Sequence, residues 1–117
     1  MKIHCIPTGY LGTNTYLVSG NYQGKDYCFL VDPAGNTDKL QSIMPQELDG
    51  IILTHGHFDH VMGLDGFVKE FDIPIYLHEE EKKILEDPSL NLSAMFGSSY
   101  AYHNVQCLKD GEILELA

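Results

Sequence analysis

The chain has 117 residues, 44% of them hydrophobic and 21% charged, the proportions of one small globular domain rather than of a disordered segment. Seven basic residues, none of them arginine, stand against 17 acidic ones, for a formal charge of -10. That balance repels phosphate over most of the surface and argues against nucleic acid and anionic membranes as partners, which leaves small-molecule substrates.

No apolar run reaches the length of a signal peptide or a membrane span, so a cytoplasmic location is the expectation. Cys5, Cys28 and Cys107 are odd in number and widely spaced, and neither a disulfide framework nor a Cys-x-x-Cys zinc site is indicated. All three are expected as buried free thiols.

In chain order, residues 2–6, 15–19 and 26–31 are short runs rich in β-branched and aromatic residues. Glycine and asparagine separate them, with Asn21-Tyr22-Gln23-Gly24 as a hairpin turn, and an antiparallel meander is expected. After Val31-Asp32-Pro33-Ala34-Gly35 the pattern changes. Asn36 or Thr37 can cap a helix that runs to Met44 and stops at Pro45. Residues 48–53 form the next strand, and its continuously apolar Ile51-Ile52-Leu53 suits an interior position covered on both faces.

A helix over 61–71 follows, with Leu64, Phe67, Val68 and Phe71 on one face and Asp59 or His60 capping its start. Ile73-Pro74-Ile75-Tyr76-Leu77 is a buried strand. The helix after it opens on Glu79-Glu80-Glu81 and carries Lys82-Lys83 later, charges placed as the helix dipole favours. Residues 90–102 allow a short helix around 92–96 and then a glycine and serine loop; residues 105–108 and 112–116 flank Asp110-Gly111 as a terminal hairpin. The order predicts a single α/β domain over residues 1–117, one sheet with helices on one face.

Between Thr54 and His60 the sequence reads Thr-His-Gly-His-Phe-Asp-His, which places His55, His57, Asp59 and His60 within six consecutive residues. Imidazole nitrogen and carboxylate oxygen suit zinc and similar divalent ions, and a catalytic site needs several such ligands with one position left open for water. The loop leaves the C-terminal end of a strand, where sites of α/β sheets gather. Without a metal the same residues read as a polar helix-capping turn, but four ligand residues packed between an apolar strand and an amphipathic helix favour the metal.

This loop resembles that of the metallo-β-lactamase superfamily, especially its glyoxalase II-like and small hydrolase members. Gly12-Thr13-Asn14-Thr15-Tyr16-Leu17-Val18, Val31-Asp32-Pro33 and Ile52-Leu53-Thr54 extend the likeness over most of the chain. The resemblance implies an αββα sandwich of two α/β halves, of which this chain is the N-terminal half as one mixed sheet; the family's remaining ligands fall downstream. It implies that His55 and His57 bind one metal and Asp59 and His60 a second, with Asp59 also orienting the attacking water. Zinc is the expected ion, with iron or manganese as alternatives. His60 directly after the aspartate is similar to the dinuclear thioesterase, lactonase and phosphodiesterase branches. His57, where the flavodiiron branch usually carries glutamate, points to hydrolysis rather than oxygen reduction.

Other residues keep two readings. Asp32 is either a partner that orients a ligating histidine, as its position in the family implies, or an ordinary turn former before proline. Thr54 braces the loop. His78 ends a strand at the surface or faces substrate, and His4 and His103 are expected not to be ligands. Tyr100, Tyr102 and Phe96 line a pocket or simply pack.

Two functions follow. In the first, the chain is the metal-binding half of a hydrolase for small thioesters, esters, lactones or phosphodiesters, inactive by itself because two protein ligands per ion are below the usual three. In the second it is a non-catalytic metal-binding or dimerising half-domain. The sheet has helices for one face only, so the other should be apolar, and a second copy is expected to cover it as a homodimer.

Overall fold

The computed structural model describes residues 1–9, 12–35, 37–44, 47–70, 73–93, 101, 102 and 105–111. Three strands, β1 (Lys2–Thr8), β2 (Thr13–Tyr22) and β3 (Lys25–Val31), open the chain as the expected meander. They pair antiparallel, Ile6 opposite Thr15 and Leu17 opposite Leu30. The β2–β3 turn is Gln23-Gly24, where Gln23 has φ 51° and Gly24 φ 82°, so the glycine meets a left-handed requirement at no steric cost.

The chain then crosses over repeatedly. α1 (Asp38–Gln41) leads to β4 (Gly50–Ile52); α2 (Phe58–Val61) and α3 (Leu64–Glu70) lead to β5 (Ile75–His78); α4 (Glu79–Glu86) precedes β6 (Gln106–Leu108). β4, β5 and β6 add in parallel, so the sheet is six-stranded and mixed in the order β1-β2-β3-β4-β5-β6. Parallel neighbours need such crossovers, and helices supply them.

Side chains alternate across a strand, and the register sorts them onto two faces. Leu17, Leu30, Ile51 and Ile75 lie side by side and are buried under Leu40 of α1, Val61 of α2, Leu64 and Phe67 of α3 and Leu85 of α4. Each of these four helices therefore contributes to one layer over one face. The opposite face carries the cross-strand row Cys5, Tyr16, Val31, Ile52 and Tyr76, with Phe29 in the next row. Gly50 makes room there, since a Cβ at that position would stand 3.2 Å from both the Phe29 and the Tyr76 ring. Ile51 is buried and Ile52 only half-buried, so β4 is less evenly covered than its apolar run implied.

Several expectations are corrected. The helix over 61–71 is two helices, because Gly63 donates its N–H to the Pro33 carbonyl at 2.9 Å, and a Cβ there would come within 2.7 Å of that oxygen. Neither Asp59 nor His60 is a cap. His57 takes the N-cap position without a side-chain hydrogen bond, and Asp59 and His60 sit inside α2, turned toward other partners. Thr37 caps α1 as expected, its hydroxyl accepting from Leu40 N–H at 3.1 Å, although α1 ends at Gln41 rather than Met44. β6 pairs in parallel with β5; the second arm of the expected hairpin, 112–116, lies outside the described residues, as do Asn36, Pro45, Phe71, Phe96, Tyr100, His103 and the side chain of Val68.

Cys28 is buried, but Cys5 and Cys107 are exposed, on β1 and β6, the outermost strands among the described residues. Burial pushes the Cys28 thiol up from its ordinary value, and the Asp49 carboxylate, which accepts the Cys28 N–H at 2.8 Å, adds to this. Since the thiolate is the reactive form, Cys107 should alkylate readily at neutral pH and Cys28 only on unfolding. Site-resolved mass spectrometry against time checks this; fast labelling of Cys28 in the native chain would contradict the packing.

Candidate metal centre

Loop residues 53–57 leave the C-terminal end of β4 and enter α2. Leu53, at the strand's exit, is anchored by its N–H to the Tyr76 carbonyl at 2.9 Å. The loop then crosses α4 at close range. Gly56 donates its N–H to Glu81 Oε1 at 3.3 Å, and a Cβ at Gly56 would lie 2.7 Å from Leu85 N, so only glycine lets the loop backbone rest on the helix backbone.

On this frame His55, Asp59 and His60 each bring one ligand atom to a cluster whose members all lie within 4.8 Å of one another. His57 stands beside it, its ring edge-on to His55 with centroids 4.9 Å apart. The His55 and His60 rings approach to 3.8 Å between centroids. Thus the structure brings together three of the four expected ligands and places the fourth alongside. His4 is exposed on β1 and lines a separate cleft of about 450 Å³ with Asp26, Glu47 and Asp49, which shares no residue with the loop. His78 ends β5, and its Nδ1 accepts the Glu80 N–H at 3.2 Å to cap α4, a structural role. Tyr102 packs against the core, and burial, then Asp65, pushes its phenol up.

Behind the cluster lies Asp32, 3% exposed. Its Oδ1 accepts the Thr54 backbone N–H at 2.8 Å, and its Oδ2 faces both the Thr54 hydroxyl at 2.5 Å and His60 Nδ1 at 3.0 Å. Its backbone is left-handed at φ 52°, a conformation that aspartate tolerates better than most residues. The conformation is held from several sides: Asp32 N–H donates to the Ile52 carbonyl at 3.1 Å, and its own carbonyl accepts from the Thr15 hydroxyl and the Ala34 N–H, both at 2.8 Å. Asp32 thus sits in a left-handed turn before Pro33, and from there its carboxylate meets both Thr54 and His60.

The donor set suits a cation. An ionised carboxylate only accepts, so His60 Nδ1 carries the hydrogen shared with Asp32, and neutral His60 presents the lone pair of Nε2 to Asp59 Oδ2 3.3 Å away. Two acceptors at that distance require positive charge between them, a proton or a metal ion. At a bond length of about 2.1 Å, neighbouring ligands of one ion are about 3.0 Å apart in octahedral and about 3.4 Å in tetrahedral coordination, which brackets this separation. His55 is pushed below its ordinary value, first by burial and then by His60 and His57. Its lone pair is more available for a ligand at neutral pH than that of an exposed histidine.

Neither Thr13 nor Glu81 is tied to the loop in the sequence reading. Thr13, at the start of β2, donates to Asp59 Oδ2 at 3.4 Å from 46 residues away, and Glu81, which reads as a helix-dipole acid, holds the Gly56 N–H. The Gly12-Thr13-Asn14-Thr15 stretch signals the first only as part of a family likeness.

The family model described as the metallo-beta-lactamase superfamily matches residues 8–116. Among related sequences, the probable metallo-hydrolase YqgX of Bacillus subtilis (strain 168) is 41% identical over 98 residues, covering 81% of this chain and 44% of YqgX. The fold matches the B3 metallo-beta-lactamase BLEG-1 with a TM-score of 0.73 at 31% identity, over 95% of this chain and 54% of that one. It matches TTHA1623, solved in a di-iron-bound form, with a TM-score of 0.70 at 30% identity, over 95% of this chain and 56% of that one. The chain spans about half the length of these relatives. The loop of ligand residues, the mixed sheet that presents it and the match over nearly the whole sequence agree: this chain belongs to the metallo-β-lactamase superfamily.

Proposed function

We propose that this chain is the N-terminal, metal-binding half of a metal-dependent hydrolase that, at the length of its relatives, cleaves small thioesters or related esters. The convergence of His55, Asp59 and His60 within 4.8 Å carries the reading. A divalent ion held there, zinc by choice of ligands and iron by the example of TTHA1623, supplies a water that is nucleophilic near neutral pH and polarises the substrate carbonyl. His55 and His57 would hold one ion and Asp59 and His60 a second. Asp59 would also accept a hydrogen bond from the attacking water and so aim it, while Asp32 keeps His60 turned inward. The charge of -10 favours small substrates over polyanions. No helix among the described residues is long and apolar enough to cross a membrane, in keeping with action on a dissolved substrate.

Two ligands per ion fall short of the usual three for catalytic zinc, so the 117 residues alone should bind metal weakly and turn nothing over. Zinc titration of this chain, beside thioester, lactone and phosphodiester assays on a protein of the relatives' length, tests the proposal. Metal uptake by both and hydrolysis by the longer one are expected. Metal uptake without hydrolysis in the longer protein would favour the non-catalytic half-domain.

On the sheet face opposite the helices Phe29 and Tyr76 are buried, but Tyr16, Val31 and Ile52 are only half-buried, which supports a partner there. Burying apolar area is worth about 25 cal/mol per Å², so several hundred Å² left in water would rival the stability of a small domain. In the isolated chain we propose that a second copy covers the row from Tyr16 to Tyr76. Sedimentation at micromolar concentration should show a dimer, and alkylation of Cys5, in the same row, should slow as copies associate. A monomer throughout that range would contradict it.

A further inference from the structure

We infer that Thr54 is a positioning residue: through its hydroxyl, the buried carboxylate of Asp32 fixes which ring nitrogen of His55, as well as of His60, is free to bind a metal ion. The inference rests on reading the loop as a metal site, and it follows from counting protons.

The Thr54 hydroxyl oxygen lies 2.5 Å from Asp32 Oδ2, a separation characteristic of a hydroxyl donating to a carboxylate. The ionised carboxylate has no hydrogen to give, so the single hydrogen of the hydroxyl points at Asp32. Nothing remains to donate to His55, whose Nδ1 lies 3.1 Å from the same oxygen. That contact is a hydrogen bond only if His55 donates from Nδ1 and Thr54 accepts. The Nε2 lone pair of His55 is thereby left for a ligand. His60 reaches the same tautomer directly, with Nδ1 3.0 Å from the same Asp32 oxygen.

The Thr54 backbone N–H on Asp32 Oδ1, at 2.8 Å, holds the threonine at a second point and keeps its side chain in line. One carboxylate thus sets two ligands, one by contact and one through a hydroxyl. Second-sphere partners of ligating histidines act in this way, fixing tautomer and ring orientation. Valine matches threonine in shape but neither donates nor accepts, whereas serine keeps both capacities.

Long-range ¹H–¹⁵N correlation spectra of the metal-free, histidine-labelled chain, taken at a pH where the imidazoles are neutral, read the tautomers directly. We expect Nδ1–H on both His55 and His60. Thr54→Val should move His55 toward the Nε2–H form while leaving His60 in place, and should weaken zinc binding by roughly 10–100-fold. Thr54→Ser should restore both. A wild-type spectrum with Nε2–H on His55 overturns the inference without any variant, as does a folded Thr54→Val chain whose His55 signals are unchanged. Fixed Nδ1–H tautomers that respond to Thr54→Val in a chain that takes up no zinc would support the relay and contradict the metal reading. Zinc uptake with Nε2–H on His55 would do the reverse.

Discussion

Replacing Asp59 with alanine should abolish hydrolysis in a protein of the relatives' length, a loss larger than the roughly 10–100-fold that follows removal of an outer partner of a ligand. The carboxylate is asked to do two things at once, holding an ion with His60 Nε2 at 3.3 Å and aiming the water, and alanine does neither. The fold should survive. Asp59 is half-buried, lies outside the core cluster, and has a 3.4 Å contact from Thr13 that contributes little. Steady-state kcat/KM, with circular dichroism as the control for folding, is the measurement. Substantial activity in a folded variant would remove the role assigned to Asp59.

Asp32→Asn is the second variant with a large expected effect. Asparagine keeps the left-handed backbone accessible, so the turn itself is preserved. What changes is the count of acceptors. Asp32 accepts from Thr54 N–H on one oxygen and from the Thr54 hydroxyl and His60 Nδ1 on the other, and an amide has only one oxygen for the two sides. With its NH₂ toward Thr54 N–H two donors meet; turned the other way, the NH₂ donates to the Thr54 hydroxyl and to His60 Nδ1, which forces His60 into the Nε2–H form and removes the lone pair a metal ion needs. Stranding a buried donor costs about 1–3 kcal/mol, and releasing His60 should weaken metal binding by roughly 10–100-fold. Denaturant unfolding and zinc competition measure the two effects separately. Unchanged zinc affinity would mean that Asp32 shapes the turn and nothing more.

Much of this was legible in the sequence because the chemistry is contiguous. Four ligand residues between Leu53 and Val61 need no tertiary knowledge to be noticed, and the alternation of β2 and β3 fixes which residues share a face. What the sequence hides is reach. The Asp32 carboxylate meets a histidine 28 positions later, and Thr13 meets Asp59 across 46, pairings set by the parallel joining of β3 to β4 and the return of the loop over β2.

Local rules also lost to tertiary ones. Asp59 and His60 stand where caps usually stand, yet their side chains are drawn to the cluster and to Asp32, and His57 takes the cap position instead. Cys5 and Cys107 sit in apolar sequence like Cys28, but only pairing order reveals that they are on edges. The break at Gly63 follows from the approach of Pro33, thirty residues earlier.

Whether this loop holds metal is read by anomalous diffraction at the zinc edge from zinc-loaded crystals of a protein of the relatives' length. A peak is expected about 2.0–2.2 Å from His60 Nε2 and an Asp59 carboxylate oxygen, with ring nitrogens of His55 and His57 completing that site or a neighbouring one. A loop with no anomalous density at full zinc loading, or zinc bound only elsewhere, would contradict it.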